Sequence, residues 1–168
     1  TIIDSIVTLK ELVFRNINGT AINILDSYLE LLKCDFTNST SFNGLIRLNN
    51  SYIELNDTKF NLIDGKVINS FKSDLKFNNS LFTDIKTNNG IIHGFNTDLI
   101  FNNTKFTNIN GKNSIICVDI GNINAFNLNF INNNISAFYL NNSDLNIQNS
   151  LFENISLNNS DIGLIHVV

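Results

Sequence analysis

The sequence has no proline, methionine or tryptophan, and charged side chains make up only 15% of its 168 residues. Hydrophobic residues make up 43%, a balance typical of a folded chain rather than a disordered one. The net charge of −4 provides no basic surface, so no nucleic-acid partner is predicted. No apolar run reaches the roughly 18 residues of a membrane-spanning helix. We therefore expect a single domain over residues 1–168 without a membrane span.

The sequence also lacks any sustained apolar pattern with the 3.6-residue period of a helix. Its short apolar runs are rich in Ile, Val, Phe and Leu and alternate with polar residues, as half-buried strands do. Turn-forming residues separate these runs, and Asn dominates them: 34 of the 168 residues are Asn. These features predict an asparagine-rich, all-β protein.

One spacing organises the whole chain. A phenylalanine recurs after an Asn-rich turn at intervals of 22 or 24 residues, which is a repeat of solenoid length. We call these residues the anchor column: Phe14, Phe36, Phe60, Phe82, Phe106, Phe130 and Phe152. Further apolar columns lie seven and five residues before each anchor, and another follows it. Length varies only between the anchor and the following column, which predicts a surface loop at that corner.

Three short strands per repeat, all running the same way round, cannot pair as hairpins. Stacking each strand on its equivalent in the next repeat buries every apolar column at once. The sequence therefore predicts a right-handed, single-stranded parallel β-helix of about seven coils. An amide ladder three residues before the anchors is expected to face the interior and to bond along the axis: Asp57, Asn79, Asn103, Asn127 and Asn149.

The repeat motifs resemble those of a known family. Phe14 followed by Gly19-Thr-Ala-Ile22, and Phe60 followed by Gly65-Lys-Val-Ile68, are similar to the repeats of chlamydial polymorphic outer membrane proteins and of the wider pectin-lyase-like superfamily. The resemblance implies a β-helix whose chemistry, where a member has any, occurs on the outer face of the strand after the variable loop.

In each repeat, one residue of the strand after the variable loop is predicted to point outward. We call the row of these residues the outward stripe: Asn23, Arg47, Asn69, His93, Cys117, Tyr139 and His166. Lyase or hydrolase chemistry on acidic sugars needs clustered carboxylates, and the stripe has none. His93 and His166 are three coils apart, roughly 14 Å, which is too far to share a metal. A thiol and base pair of His93 and Cys117 lacks a third orienting group. We therefore expect no catalytic residue, cofactor or metal, and treat the stripe as a candidate contact surface.

The two cysteines, Cys34 and Cys117, lie three coils apart, so both are predicted to be free thiols. By alternation, Cys34 faces the core and Cys117 faces outward.

Ten Asn-x-Ser/Thr sequons suggest a secreted glycoprotein, with ordinary turn formation as the competing explanation. Three of them share one outward phase in consecutive coils: Asn56, Asn78 and Asn102. The others are Asn18, Asn38, Asn49, Asn134, Asn141, Asn154 and Asn158.

These observations favour a non-enzymatic structural or adhesive rod module of an extracellular or cell-surface protein. The expected partners are other β-helix segments or copies of the chain stacked end to end into a filament, and glycans are a further candidate partner. The first alternative is a carbohydrate-binding or polysaccharide-degrading β-helix whose active residues lie outside this segment. The second is a bacterial autotransporter-like adhesin passenger.

Overall fold

A computed structural model describes residues 1–157 and 163–168, and these residues form an all-β parallel solenoid of about seven coils. The described residues contain no helix, and hence none that could cross a membrane. The expected solenoid and its coil number are confirmed.

Each coil has three faces, and each face is a stack of parallel strands. Face A begins with β2 (Ile6–Lys10), β5 (Tyr28–Leu32), β8 (Tyr52–Asn56), β11 (Asp74–Asn78) and β15 (Asp98–Asn102). Face B consists of β3 (Val13–Arg15), β6 (Asp35–Ser41), β9 (Lys59–Gly65), β12 (Leu81–Thr83), β16 (Lys105–Thr107), β18 (Asn129–Ile131) and β20 (Leu151–Glu153). Face C contains β1 (Ile2–Ile3), β4 (Ile22–Leu25), β7 (Ile46–Asn49), β10 (Ile68–Phe71), β14 (Ile92–Phe95) and β21 (Ile165–Val167). The long strands β17 (Asn110–Phe126) and β19 (Asn134–Gln148) continue from face C into face A, and β13 (Lys86–Thr87) lies at the loop corner.

The anchor column is the centre of the interior. Consecutive anchors pair residue for residue across face B, and their rings stack with centroid distances between 4.4 and 5.1 Å. The five inner anchors are buried, whereas Phe14 and Phe152 in the end coils are partly exposed. The register that the spacing predicted is therefore confirmed for every coil.

The corners turn on residues with left-handed backbone, three per coil in most of the solenoid. One such column precedes face B, and its φ values lie between 51° and 55°: Glu11, Lys33, Asp57, Asn79, Asn103, Asn127 and Asn149. Asn is frequent in these columns because it tolerates left-handed backbone better than most residues do.

The amide ladder faces solvent, so the expected inward orientation is wrong. Counting by two from face A places these residues inside, but the left-handed corner rotates them outward. Asn103 Nδ2 donates to Asn79 Oδ1 at 3.2 Å, and Asn127 Nδ2 donates to Asn103 Oδ1 at 2.7 Å. Asp57 and Asn149 are exposed members of the same column. The axial bonds are therefore present, but they form on the surface.

Small hydroxyl side chains, rather than the amide ladder, hydrogen-bond the backbone polar groups at the buried corners. Thr58, Ser80 and Thr104 follow the amide ladder directly, are buried, and donate to carbonyl groups at the corner. A second hydroxyl ladder precedes face A, where Ser51 Oγ accepts from the Ser27 backbone N–H at 3.2 Å. This ladder was not predicted, although its signal is present in the sequence. A hydroxyl recurs nine residues before most anchors: Ser5, Ser27, Ser51, Ser73, Thr97 and Ser143.

Candidate functional site

The outward stripe runs along face C in unbroken register, from Asn23 opposite Arg47 to Tyr139 opposite His166. Arg47 is exposed, whereas Asn23, Asn69, His93, Tyr139 and His166 are half-buried. The stripe is therefore a continuous row of side chains, one per coil. Its order along the axis follows directly from the repeat.

Cys117 departs from the expectation for the stripe. Its position is outward, opposite His93, yet its side chain is only 7% exposed. The loop corner covers it: a Cβ atom on Gly90 would lie 3.0 Å from Cys117 Sγ, and Sγ donates to the Ser114 carbonyl at 3.5 Å. Burial raises the pKa of the Cys117 thiol to about 11. The thiol is thus protonated at neutral pH and is a poor nucleophile.

A cavity of about 450 Å³ opens over Cys117, and we call it the Cys117 cavity. Its lining combines loop residues with three positions of the stripe: Lys66, Asn89, His93, Asn113, Ser114, Cys117, Asp119 and Tyr139. Among the described residues, the side chains of Lys66 and His93 form no hydrogen bond or ion pair. Burial lowers the pKa of both groups. Sequence reasoning singled out the stripe but did not foresee this enclosure by the loops.

The lengths of the variable loops create a second depression. The loop around Gly65 is short, and the loops before and after it, around Gly44 and Gly90, are two residues longer. A polar cleft of about 430 Å³ lies along these loops, lined mainly by hydroxyl, amide and glycine residues. The insertions that leave the core unchanged therefore shape the surface at this corner.

A shallower groove of about 350 Å³ lies further down face C. Its lining includes Arg47, Asn69 and His93 from the stripe, together with Phe71 and Phe95. The two phenylalanine rings stack with a centroid distance of 5.6 Å and are 43% and 44% exposed. An exposed aromatic pair beside amide and guanidinium groups can bind a flat ligand through its faces and polar edges.

The sequons of three consecutive coils form a bonded row on face A. Asn78 Nδ2 donates to Asn56 Oδ1 at 2.7 Å, and Asn102 Nδ2 donates to Asn78 Oδ1 at 2.9 Å. Asn56 and Asn78 also donate to the carboxylates of Glu30 and Glu54, respectively. The nitrogens that would carry glycans are therefore already hydrogen-bonded, and adjacent rows are only about 4.8 Å apart. Glycans on Asn56, Asn78 and Asn102, which lie on three consecutive coils, would therefore overlap.

The remaining described sequons differ in exposure. Asn18, Asn38, Asn49 and Asn154 are exposed, and Asn134 and Asn141 are half-buried. Asn158 lies outside the described residues. Separate exposed positions are sterically better acceptors than the row on face A.

Charged groups on face A are arranged around the same row. Lys76 Nζ lies 3.0 Å from Glu54 Oε1, and the hydrogen bond to this carboxylate raises the pKa of Lys76. Tyr28 and Tyr52 stack with a centroid distance of 5.3 Å, and burial raises the pKa of both phenols. Within residues 1–157 and 163–168, no three His, Cys, Asp or Glu side chains converge as metal ligands.

No protein-family model matches the chain, and no curated protein matches its sequence. Among solved structures, the chain aligns with HetL, a pentapeptide repeat protein involved in heterocyst differentiation regulation from the cyanobacterium Nostoc sp. strain PCC 7120. The alignment covers 92% of this chain and 86% of HetL, with 9% identity and a TM-score of 0.18. A similarity at this level carries no argument about fold or function. The comparisons do not support the resemblance to chlamydial or pectin-lyase-like repeats.

Proposed function

We propose that this chain is a non-enzymatic structural or adhesive rod module of an extracellular or cell-surface protein. The observation that carries the proposal is the unbroken axial register, in which the anchor rings stack from the first coil to the last. Each coil adds about 4.8 Å to the axis, so about seven coils extend roughly 34 Å. A stack of this kind holds its outer side chains at a constant spacing.

The proposal includes a right-handed, single-stranded coil and end-to-end contact with other β-helix segments or with copies of the chain. Handedness follows the strong preference of parallel crossovers for the right-handed connection. Exposed strand edges favour pairing with another β-helix, which would lengthen the rod or give a filament. The exposed sequons provide acceptor sites if the chain passes through a eukaryotic secretory route.

Stretching single molecules between the two termini tests the rod. We expect the chain to resist force and then to unwind in steps of one or a few coils, each releasing 22 to 24 residues. Smooth extension at low force would contradict a rod that resists stretching.

Surface labelling of the tagged protein in intact native cells tests the cellular compartment, with a cytosolic protein as the control. Protection of the chain from the label would contradict an extracellular location.

A second candidate is carbohydrate binding on the face C groove, favoured by the stacked pair of Phe71 and Phe95 beside Arg47. Screening against neutral and acidic polysaccharides tests it, with Phe71→Ala compared with the control Phe42→Ala. Phe42 is 82% exposed and does not line the groove. Equal retention of both variants by every polysaccharide would exclude the groove. If the protein cleaves polygalacturonate, and Arg47→Ala or His93→Ala abolishes this activity, the proposal that the chain is non-enzymatic is wrong.

A further inference from the structure

The Cys117 cavity interrupts a column of rings. His93, Cys117 and Tyr139 occupy equivalent positions in three consecutive coils of face C. The Tyr139 ring stacks on His166 at a centroid distance of 5.3 Å and an interplanar angle of 10°. Two strand spacings separate His93 from Tyr139, about 9.6 Å, and the stripe position between them is Cys117. The coil of Cys117 therefore lacks the ring that would continue the stack.

The other outward aromatic neighbours show what spacing such a stack adopts. Tyr28 and Tyr52 stack at 5.3 Å, and Phe71 and Phe95 stack at 5.6 Å, each pair on adjacent coils. One planar ring above Cys117 would lie about one strand spacing from His93 and from Tyr139. The cavity, with a volume of about 450 Å³, lies within the range of small-ligand pockets. A ring-shaped ligand therefore fits both the volume and the repeat.

Lys66 identifies the charge of such a ligand. Its side chain is half-buried, lines the cavity, and has no hydrogen bond or ion pair among the described residues. A partly desolvated ammonium group is stabilised by a counter-ion, and an anion in the cavity would provide one. Among the residues that the structure describes, Asp119 is the only carboxylate in the lining, and its charge disfavours a second negative group on the ligand. The side-chain amides of Asn89 and Asn113 can bond the polar edge of the ligand at the loops.

We propose that the Cys117 cavity binds a planar aromatic monocarboxylate. Its ring occupies the space between His93 and Tyr139, and its carboxylate accepts hydrogen bonds from Lys66. The inference is independent of the rod function, because a rod can carry or lack a ligand. It assigns a binding site and no reaction.

Calorimetric titration with four small probes tests the ligand class. Benzoate and 4-hydroxybenzoate are planar anions, cyclohexanecarboxylate is an anion without a planar ring, and benzamide is planar but neutral. We expect saturable one-to-one binding of the two benzoates, and binding of each of the other two at least about tenfold weaker. Equal binding of benzoate and cyclohexanecarboxylate would contradict the stacking argument. Absence of saturable benzoate binding up to 10 mM, with the protein folded, would overturn the proposal.

Variants of this chain test separately the two proposed contacts, the Lys66 ammonium group with the carboxylate and the Tyr139 ring with the ligand ring. Lys66→Gln should remove the preference for benzoate over benzamide, and Tyr139→Leu should remove the preference for benzoate over cyclohexanecarboxylate. Lys105→Gln changes an exposed lysine outside the cavity lining and should leave benzoate affinity within about twofold of the parent. Tyr52→Leu disrupts a stack on face A and is the matched control for Tyr139→Leu. Unchanged benzoate affinity in folded Lys66→Gln would refute the assigned contact.

A third substitution blocks the site with a ring of the protein itself. Cys117→Phe would place a phenyl group between His93 and Tyr139, and we expect it to abolish benzoate binding. Thermal unfolding followed by circular dichroism shows whether this variant is folded. If it is not, Tyr139→Leu with the four probes decides the question alone. Retained binding in a folded Cys117→Phe protein would show that the ligand lies elsewhere.

Discussion

Replacing Phe82 by Ala tests the anchor column at the centre of the solenoid. Phe82 is fully buried, and its ring stacks between Phe60 at 4.8 Å and Phe106 at 4.6 Å, with Phe77 tilted against it at 5.9 Å. Deleting a core aromatic costs about 3–5 kcal/mol, because transfer free energy is lost and a cavity remains. The loss of three ring pairs, each worth about 0.5–1.5 kcal/mol beyond its buried area, places Phe82→Ala in the upper part of this range. We therefore expect the free energy of unfolding to fall by about 4–5 kcal/mol.

Urea unfolding followed by circular dichroism measures this change, with Phe42→Ala as the control. Phe42 is 82% exposed, so its replacement should change stability by less than about 0.5 kcal/mol. A solenoid can lose its end coils first, so the transition should be analysed with a nearest-neighbour model if two probes disagree. A loss below about 1 kcal/mol for Phe82→Ala would refute the view that the stacked anchors hold the coils together.

Three further substitutions and one reaction test the corners and the cavity. Ile120 has a φ of 62°, which a β-branched residue tolerates poorly, so Ile120→Asn should stabilise the protein by about 1 kcal/mol in thermal unfolding; a lower melting temperature would contradict this. Ser51→Ala removes the acceptor of the Ser27 N–H and should cost about 1–3 kcal/mol in urea unfolding, and no loss would show that the hydroxyl ladder is dispensable. Gly65→Ala would place a Cβ atom against the Ser41 carbonyl at a φ of 117° and should cost about 3 kcal/mol, whereas a neutral result would mean that the loop moves freely. The pKa of Cys117 is raised from 9.0 to about 11, so alkylation followed by mass spectrometry should be slow at pH 7.5 and should accelerate about tenfold per pH unit up to that pKa; a rate that levels off by pH 9 would contradict the burial.

The sequence alone predicts the register because burial imposes it. Phe60, Phe82 and Phe106 are separated by 22 and 24 residues, and only one stacking of the coils places all three inside. Insertions at the loop corner do not disturb this, because the apolar column that follows the anchors always lies seven residues before the first inward position of the next face A strand. The members of that column are Ile22, Ile46, Ile68, Ile92, Ile116 and Phe138. A periodic apolar column is therefore strong evidence for a solenoid even when no related protein is recognised.

Alternation fails at the corners, where the backbone leaves the extended conformation. Asn79 has a φ of 51°, and this single residue reverses the inside and outside phase between faces A and B. Ser80, the next residue, is the one that enters the core. Counting by two across a corner therefore places the amide ladder inside when it lies outside. A correct prediction needs the left-handed residue identified first and the count restarted after it.

The candidate site depends on differences between coils, whereas a periodic pattern describes only what the coils have in common. The spacing predicts that His93 and Tyr139 lie in one outward row, and the structure places them there. The enclosure of Cys117 arises around Gly90 and Ser114, which lie in loops of the longer class that do not occur in every coil. A small side chain in the row, covered by two long loops and joined in the cavity lining by Lys66 from two coils earlier, produces a cavity that none of the three features indicates alone. Function in such a fold is therefore best sought where a small outward residue coincides with long neighbouring loops, because the core can accept both without losing a contact.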